Sequence, residues 1–567
     1  MYLHLIRLTL ETSSPLSLGS GRVVRRKRPG PSTTGEETDE HAADAIIRDA
    51  NGLPTIPGAS YQGVLRRLAT TEWELSRAWK IFGVEGDSPK DGQMGTVDCG
   101  WGLVHDAEDK AVSPLPGLVG NDDVLDWLRQ DAPLWRDHVA LGDRLSVEGR
   151  KKFARAAVPR GARFSIELAH RTSKKEDDTL IDVAALFRHP DFRLGAARNR
   201  GYGRLKVIRA SHQCFAPGDG DALRKRRAEV PSVALATNLM DVSRFEGPMG
   251  KTTVFTVKLK ADGFLRMGAT TEAAVALTNG SHGARAVSDG SSTAWWDEGT
   301  RQQEADQKSQ EKGTDNTLRL LSEPVIVYPQ DRAEGMAEVI TAQDIVTTGD
   351  WEKLTRLSFP VPGSQLRQPI AHRSLFHFNR AAGRVVDAEA YIRGNAASKA
   401  QIEAALAEHA RRPAELAALF GAAKGPSVTG KPTPGRAGRL LADDSEITAE
   451  WIMAVDHASI DRFTGSVRDR TGALFAEEVL YGAEIEATFR ISPPLDTGGD
   501  SISDWPNTVA DAFLKALRDL CTGHLPIGAR SLGACSGRVR IDGQEAETWK
   551  VRATALGLPL EKDEAKP

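Results

Sequence analysis

Apolar and polar positions alternate at the start of the chain. Leu3, Leu5, Leu8 and Leu10 predict a half-buried β-strand with one break in register between Ile6 and Leu8. Such a break predicts either a bulge or a strand buried on both faces. Segments 161–168 (GARFSIEL), 203–209 (GRLKVIR), 484–491 (EIEATFRI) and 537–541 (GRVRI) also read as strands. A helical period takes over near Ser60, where Val64, Leu65 and Leu68 share a face. The Ala-rich stretch 397–420 predicts helix by propensity. Segment 507–522 predicts helix by the spacing of Val509, Phe513, Leu517 and Leu520.

These signals come twice in the same order: strand, Gly turn, Pro-Gly helix start, Asp-Arg pair, then a Gly/Arg loop closing into a strand. The first copy reads IRLTLETSSPLSLGSG, IPGASYQGVLRRL, LGDRLSVEGRKKF and GAARNRGYGRLKV. The second reads FTVKLKADGFLRMG, VPGSQLRQPIAHR, SIDRFTGSVRD and GARSLGACSGRVRI. The order predicts an α+β fold of two ferredoxin-like, RRM-like domains in tandem with insertions. The expected boundaries are 1–215 for the first domain, with an insertion at about 84–135, and 216–250 for a connector. The second domain is expected over 251–550, with insertions at about 275–345 and 380–440, before a tail at 551–567. The polar run 301–316 reads as a solvated, disordered insertion.

A chain of 567 residues is too long for one core. The net charge of −3 means that nucleic-acid binding has to rest on local patches. The four cysteines form no CxxC pair, which predicts reduced thiols, a cytoplasmic location and no zinc site. No apolar run approaches 18 residues, so no membrane span is expected. The alternating first residues predict a strand rather than a signal peptide.

The recurring elements are those that hold phosphates. Pro57-Gly58-Ala59-Ser60 turns the chain into a helix whose first N–H groups lie at the positive end of its dipole. Ser60, Gln62, Arg66 and Arg67 stand at that end. Pro362-Gly363-Ser364-Gln365 repeats the arrangement with Arg367 and Arg373. The loop 195–204 combines small residues with Arg198, Arg200 and Arg204, and Tyr202 offers a ring on which a base can stack. Its counterpart, 528–540, carries Arg530, Arg538 and Arg540. The Asp-Arg pairs place Arg144 and Arg462 in hairpin-like segments, and a basic run including Arg150, Arg155 and Arg160 follows the first. Each piece alone also fits a capped helix or a solvated loop. No GxxxxGK[ST] motif is present, which argues against nucleotide hydrolysis by a P-loop. Asp44 precedes the first helix start. It reads either as a loop residue or as a carboxylate that binds Mg²⁺ or activates a ribose 2′-hydroxyl. Asp49, in RDANG, reads as a turn residue.

The ordered set resembles the RAMP superfamily of CRISPR-associated proteins, specifically the backbone subunits of type III effector complexes. The carrying segments are DAIIRDANGLPTIPGASYQGVLR, VPGSQLRQPIAHR, DRFTGSVRDRTGALFAEEV and the two closing Gly loops. The resemblance implies an RRM-like palm with a thumb-like hairpin. It also implies stacking along a CRISPR RNA, pairing of that guide with a target single-stranded RNA, and other type III effector subunits as partners. It further implies that an Asp upstream of the IPG segment cleaves the target RNA. Asp44 matches that position, and Asp350 holds the corresponding place in the second copy without the RD-x-NG surroundings. Two backbone domains in one chain resemble the fused subunits of type III-D systems. The first copy's LGDRLSVEGRKKF departs from the DRFTG pattern of the second. A scaffold without chemistry fits the same motifs. So does a guide-processing endonuclease using His138 or His457, each a few residues before an Asp-Arg pair.

Overall fold

The computed structural model describes residues 1–26, 41–84, 92–115, 119–120, 122–141, 147–228, 239–245, 252–268, 284–286, 320–328, 355–384, 393–394, 396–409, 413–422, 435, 438–458, 460–461, 463–466, 474–492, 507–528 and 537–541. In the first half the elements are β1 (Tyr2–Thr12), β2 (Gly19–Arg26), β3 (His41–Ile46), β4 (Thr55–Ile56), α1 (Gly58–Glu72), α2 (Leu75–Phe82), β5 (Val97–Cys99) and β6 (Gly102–Val104). They continue with α3 (Asp123–Arg129), β7 (Leu134–Leu141), β8 (Val147–Ala157), β9 (Arg163–Thr172), α4 (Thr179–Ala185), β10 (Leu205–Phe215), α5 (Gly220–Ala228) and β11 (Leu239–Met240). The second half has β12 (Thr253–Ala261), β13 (Phe264–Leu265), β14 (Ala284–Ala286), β15 (Glu323–Ile326), β16 (Thr355–Ser358), β17 (Pro360–Val361), α6 (Gly363–Ala381), α7 (Ala396–His409) and α8 (Ala414–Phe420). It ends with β18 (Leu440–Ala442), β19 (Ser445–Thr448), β20 (Trp451–Ala458), β21 (Leu474–Tyr481), β22 (Glu484–Ile491), α9 (Asn507–Cys521) and β23 (Val539–Arg540).

Two mixed α+β units follow from this order. β1 is central, paired antiparallel with β9 on one side and β10 on the other. That position buries both of its faces and explains the imperfect alternation of its sequence. The bulge lies at Thr9/Leu10, where the partners jump from Arg209 to Val207. Helix α1 packs Tyr61, Leu65 and Leu68 into a core with Ile6, Leu8, Leu10 and Phe164. Leu8→Ala would open a cavity there at a cost of roughly 2–5 kcal/mol.

The central sheets share one strand order. β4-β6-β9-β1-β10 in the first half corresponds to β17-β19-β22-β12-β23 in the second. β5 also pairs β9 as β18 pairs β22. The local backbone agrees: a Cβ added at Gly58 would strike the Cys99 carbonyl, and one at Gly363 the Ala442 carbonyl. In the closing loops, Leu194 N–H donates to Gly203 O and Ile527 N–H to Gly537 O.

Part of the segment expected as an insertion, 84–135, belongs to the core. β5 and β6 complete the central sheet, and α3 buries Trp127. Strands of three residues carry no readable period, which is why the pattern missed them. The helix expected over 397–420 divides into α7 and α8, with Pro413 as the N-cap of the latter. The run 301–316 lies outside the described residues. Among the described residues no helix is long and apolar enough to cross a membrane.

A separate sheet stands beside the first core in the order β2-β3-β8-β7. It carries Asp44.

Candidate nucleic-acid interface

Asp44 lies on β3, opposite Val23 across an antiparallel ladder and Arg155 across a parallel one. The carboxylate is open to solvent, and Arg155 Nη1 donates to Asp44 Oδ2 at 3.2 Å. Arg155 in turn faces Arg136 across the β7–β8 ladder. Its Nε is buried without a hydrogen-bond partner among the described residues.

The loop 195–204 comes back onto this hairpin. Its glycines are structural requirements: Gly195, Gly201 and Gly203 have φ of +78°, +97° and +80°. Gly195 backs onto the Ser17 carbonyl and Gly203 onto that of Leu194. The Arg200 guanidinium lies 4.7 Å from the centre of the Phe153 ring. Burial lowers its pKa, and the neighbouring charge of Arg155 lowers it further. Arg198 is exposed.

Helix α1 brings in Arg67. Its pKa is lowered by burial first and then by the charge of Arg198, against a smaller opposing effect of Asp191. Its Nε has no partner among the described residues. Arg66 is exposed on the same helix. Ser60 N–H donates to Pro57 O within the first turn. Three segments far apart in sequence therefore crowd Arg67 against Arg198 and Arg200 against Arg155. Like charges in partly desolvated positions are costly, and a polyanion laid across them relieves that cost.

Residues 9–206 match the family model of the RAMP superfamily. The matched segment is similar to a RAMP domain. The family is CRISPR-associated and binds RNA, and Asp44, Arg67, Arg155, Arg198 and Arg200 all fall within the matched segment. No curated protein matches the chain.

Several expected contacts of the first half face inward. Tyr202 is fully buried, so its ring offers no face to a base in this arrangement. Its hydroxyl and His138 Nε2 share a hydrogen bond of 2.9 Å, and Arg136 sits over its ring at 5.3 Å. His138 stacks on Phe153 at 5.2 Å. Burial, then the charges of Arg200, Arg136 and Arg155, push its pKa down to about 3, so the imidazole is neutral near pH 7. A base of that strength is poorly matched to proton abstraction at neutral pH. Arg204 donates to Asp443 of the second half at 3.0 Å.

Other expected residues lie in the second half. Arg367 is buried, with its Nε donating to Leu440 O at 2.8 Å and its Nη2 to Phe420 O. It staples α6 to its own core rather than facing solvent. Arg373 on α6 joins His377 in holding Asp519 of α9. The first N–H of α6, on Gly363, donates to Asp444 at 2.8 Å, so a protein carboxylate already caps that helix. Arg538 is exposed just before β23. His457 pairs with the buried Glu477 at 3.1 Å. Asp350, Arg144, Arg462 and Arg530 lie outside the described residues.

Among the described residues, Asp44 pairs with Arg155, and no group of three or more potential ligands that could hold a metal occurs. Sequence patterns pointed to Arg155 only as one member of a basic run. They gave no sign that Phe153 and His138 support the loop.

Proposed function

We propose that the chain is a guide-RNA-binding backbone subunit of a type III CRISPR effector complex, and that Asp44 cleaves guide-paired target RNA. The observation that carries this reading is the placement of one exposed carboxylate at the end of a band of crowded arginines, Arg155, Arg200, Arg198 and Arg67, in the RAMP-matched segment. Guanidinium groups drawn from several segments suit a sugar-phosphate chain read by shape. The shared sheet order supports a second RAMP-like unit in the same chain, as in fused type III-D subunits.

The chemistry follows from Asp44 being accessible. It takes the proton of a ribose 2′-hydroxyl, the oxygen attacks the adjacent phosphorus, and the P–O5′ bond breaks. The products are a 2′,3′-cyclic phosphate and a 5′-hydroxyl, whose proton comes from solvent. Arg155 fixes the carboxylate and faces the charge that builds on the phosphoryl oxygens. A Mg²⁺ requirement is a property to measure with RNA bound.

One observation favours the scaffold reading. The Asp44 carboxylate is already engaged by Arg155 at 3.2 Å. Both readings require guide binding. Tagged protein purified from cells carrying a CRISPR array is expected to bring down guide RNA of defined length. Recovery of bulk cellular RNA only, or of none, would reject both.

A further inference from the structure

The junction between the halves is built on two adjacent carboxylates. Asp443 and Asp444 form the turn between β18 and β19, the position that Gly100 and Trp101 occupy between β5 and β6 of the first half. There the turn is uncharged and Trp101 is 57% exposed. In the second half both acids are driven into the first half. Asp443 is held by Arg193 and Arg204 of the first half and by Arg490 of its own, the last at 2.9 Å. Asp444 accepts from Arg136 Nη1 at 2.6 Å and caps α6 through Gly363 N–H. The remaining donors of Arg136 go to Glu323, at 2.7 Å for Nη2.

The Gly/Arg loop takes part directly. A Cβ added at Gly201 would run into Asp444 Oδ1. A left-handed glycine, guanidinium groups and a helix N-terminus are the means by which proteins grip phosphate. Here each is spent on a carboxylate. Four arginines (Arg136, Arg193, Arg204, Arg490) meet three acids (Asp443, Asp444, Glu323), and all but Arg204 are nearly excluded from water.

We infer that the first Gly/Arg loop is a protein-docking socket whose ligand is the acidic Asp443–Asp444 turn. The turn stands where phosphates would otherwise sit and sets the two halves in one fixed arrangement. RNA is left to Arg67, Arg155, Arg198 and Arg200 outside the socket. The RNA measurement below rests on the proposed function, and the junction measurement does not.

Two experiments test it. In the first, the salt dependence of guide-RNA affinity is compared for the parent, Arg204→Ala and Arg198→Ala. Each lost phosphate contact lowers the slope by roughly 0.7. The expected result is no change for Arg204→Ala and a drop of that size for Arg198→Ala. A drop for Arg204→Ala overturns the socket, whereas an unchanged slope for Arg198→Ala overturns the RNA reading and leaves the socket to the second experiment. In that experiment, Asp443→Asn/Asp444→Asn in the full chain is expected to split one heat-unfolding transition into two and to raise the radius of gyration in X-ray scattering. Should the double variant not fold, Arg204→Ala, on the half-exposed rim, is the material for the same two readouts, with the same direction expected. One transition and an unchanged radius in a folded variant would overturn the proposal.

Discussion

Arg155 and Asp44 sit in register on neighbouring parallel strands, with Nη1 and Oδ2 3.2 Å apart. The pair links two regions that sequence alone treats separately, a carboxylate before the helix start and a basic run in the hairpin. It also gives the carboxylate a fixed position at the end of the arginine band.

The arginine band predicts an additive electrostatic footprint. Arg67→Ala and Arg198→Ala are each expected to weaken guide-RNA binding and to lower the magnitude of the salt slope by roughly 0.7, with little dependence on RNA sequence. Fluorescence anisotropy across a salt series measures it. Binding that depends on sequence rather than on salt would contradict the phosphate assignment.

Tyr202 provides a contrast. Tyr202→Phe removes the hydroxyl partner of His138 Nε2 and is expected to cost roughly 1–2 kcal/mol in urea unfolding. RNA affinity should stay within about twofold, because 1.4 kcal/mol corresponds to tenfold and no RNA contact is lost. A loss of affinity without a loss of stability would mean that the hydroxyl contacts RNA instead of His138.

His138 makes the hairpin sensitive to acid. In the unfolded chain it gains a proton near pH 6.5, and in the folded protein only near pH 3. Its contribution to stability is therefore complete above about pH 6.5 and is lost as pH falls toward 3. Between pH 7 and pH 5 the parent should lose up to about 2 kcal/mol more than His138→Gln, at about 1.4 kcal/mol per unit. Denaturant titrations of both proteins at the two pH values give the difference. Equal losses would place the acid sensitivity elsewhere.

Arg367 is expected to behave as a core residue. Arg367→Met leaves the carbonyls of Leu440 and Phe420 without this donor. Destabilisation of roughly 2–4 kcal/mol should follow, with an unchanged salt slope for RNA. A stable variant with weakened RNA binding would return Arg367 to the interface.

Much of the fold was legible because its longer elements keep a clear period. β9, β22 and α9 fall where alternation or 3.6-residue spacing placed them. The three-residue strands β5 and β6 were lost because nothing periodic fits in so few positions. Asp44 and the arginines of the first loop were visible as types and spacings. Their partners were not. Glycine and arginine signal an anion without saying whose, and only the packing of β18–β19 into the loop shows that Arg204 holds a carboxylate of the same chain. The one trace in the sequence is the Asp-Asp doublet in LLADDSEIT, set between two short apolar strands. Arg367 misleads for a related reason, since a guanidinium that bonds backbone carbonyls looks like any other until the core closes around it.

The most direct test is a target-RNA cleavage assay with the assembled, guide-loaded complex, comparing the parent chain with Asp44→Ala. The account predicts that one cut disappears, with its rate falling roughly 10²–10⁴-fold, while guide and target binding are unchanged. An identical set of cuts at the parent rate would contradict it and leave the chain as a scaffold.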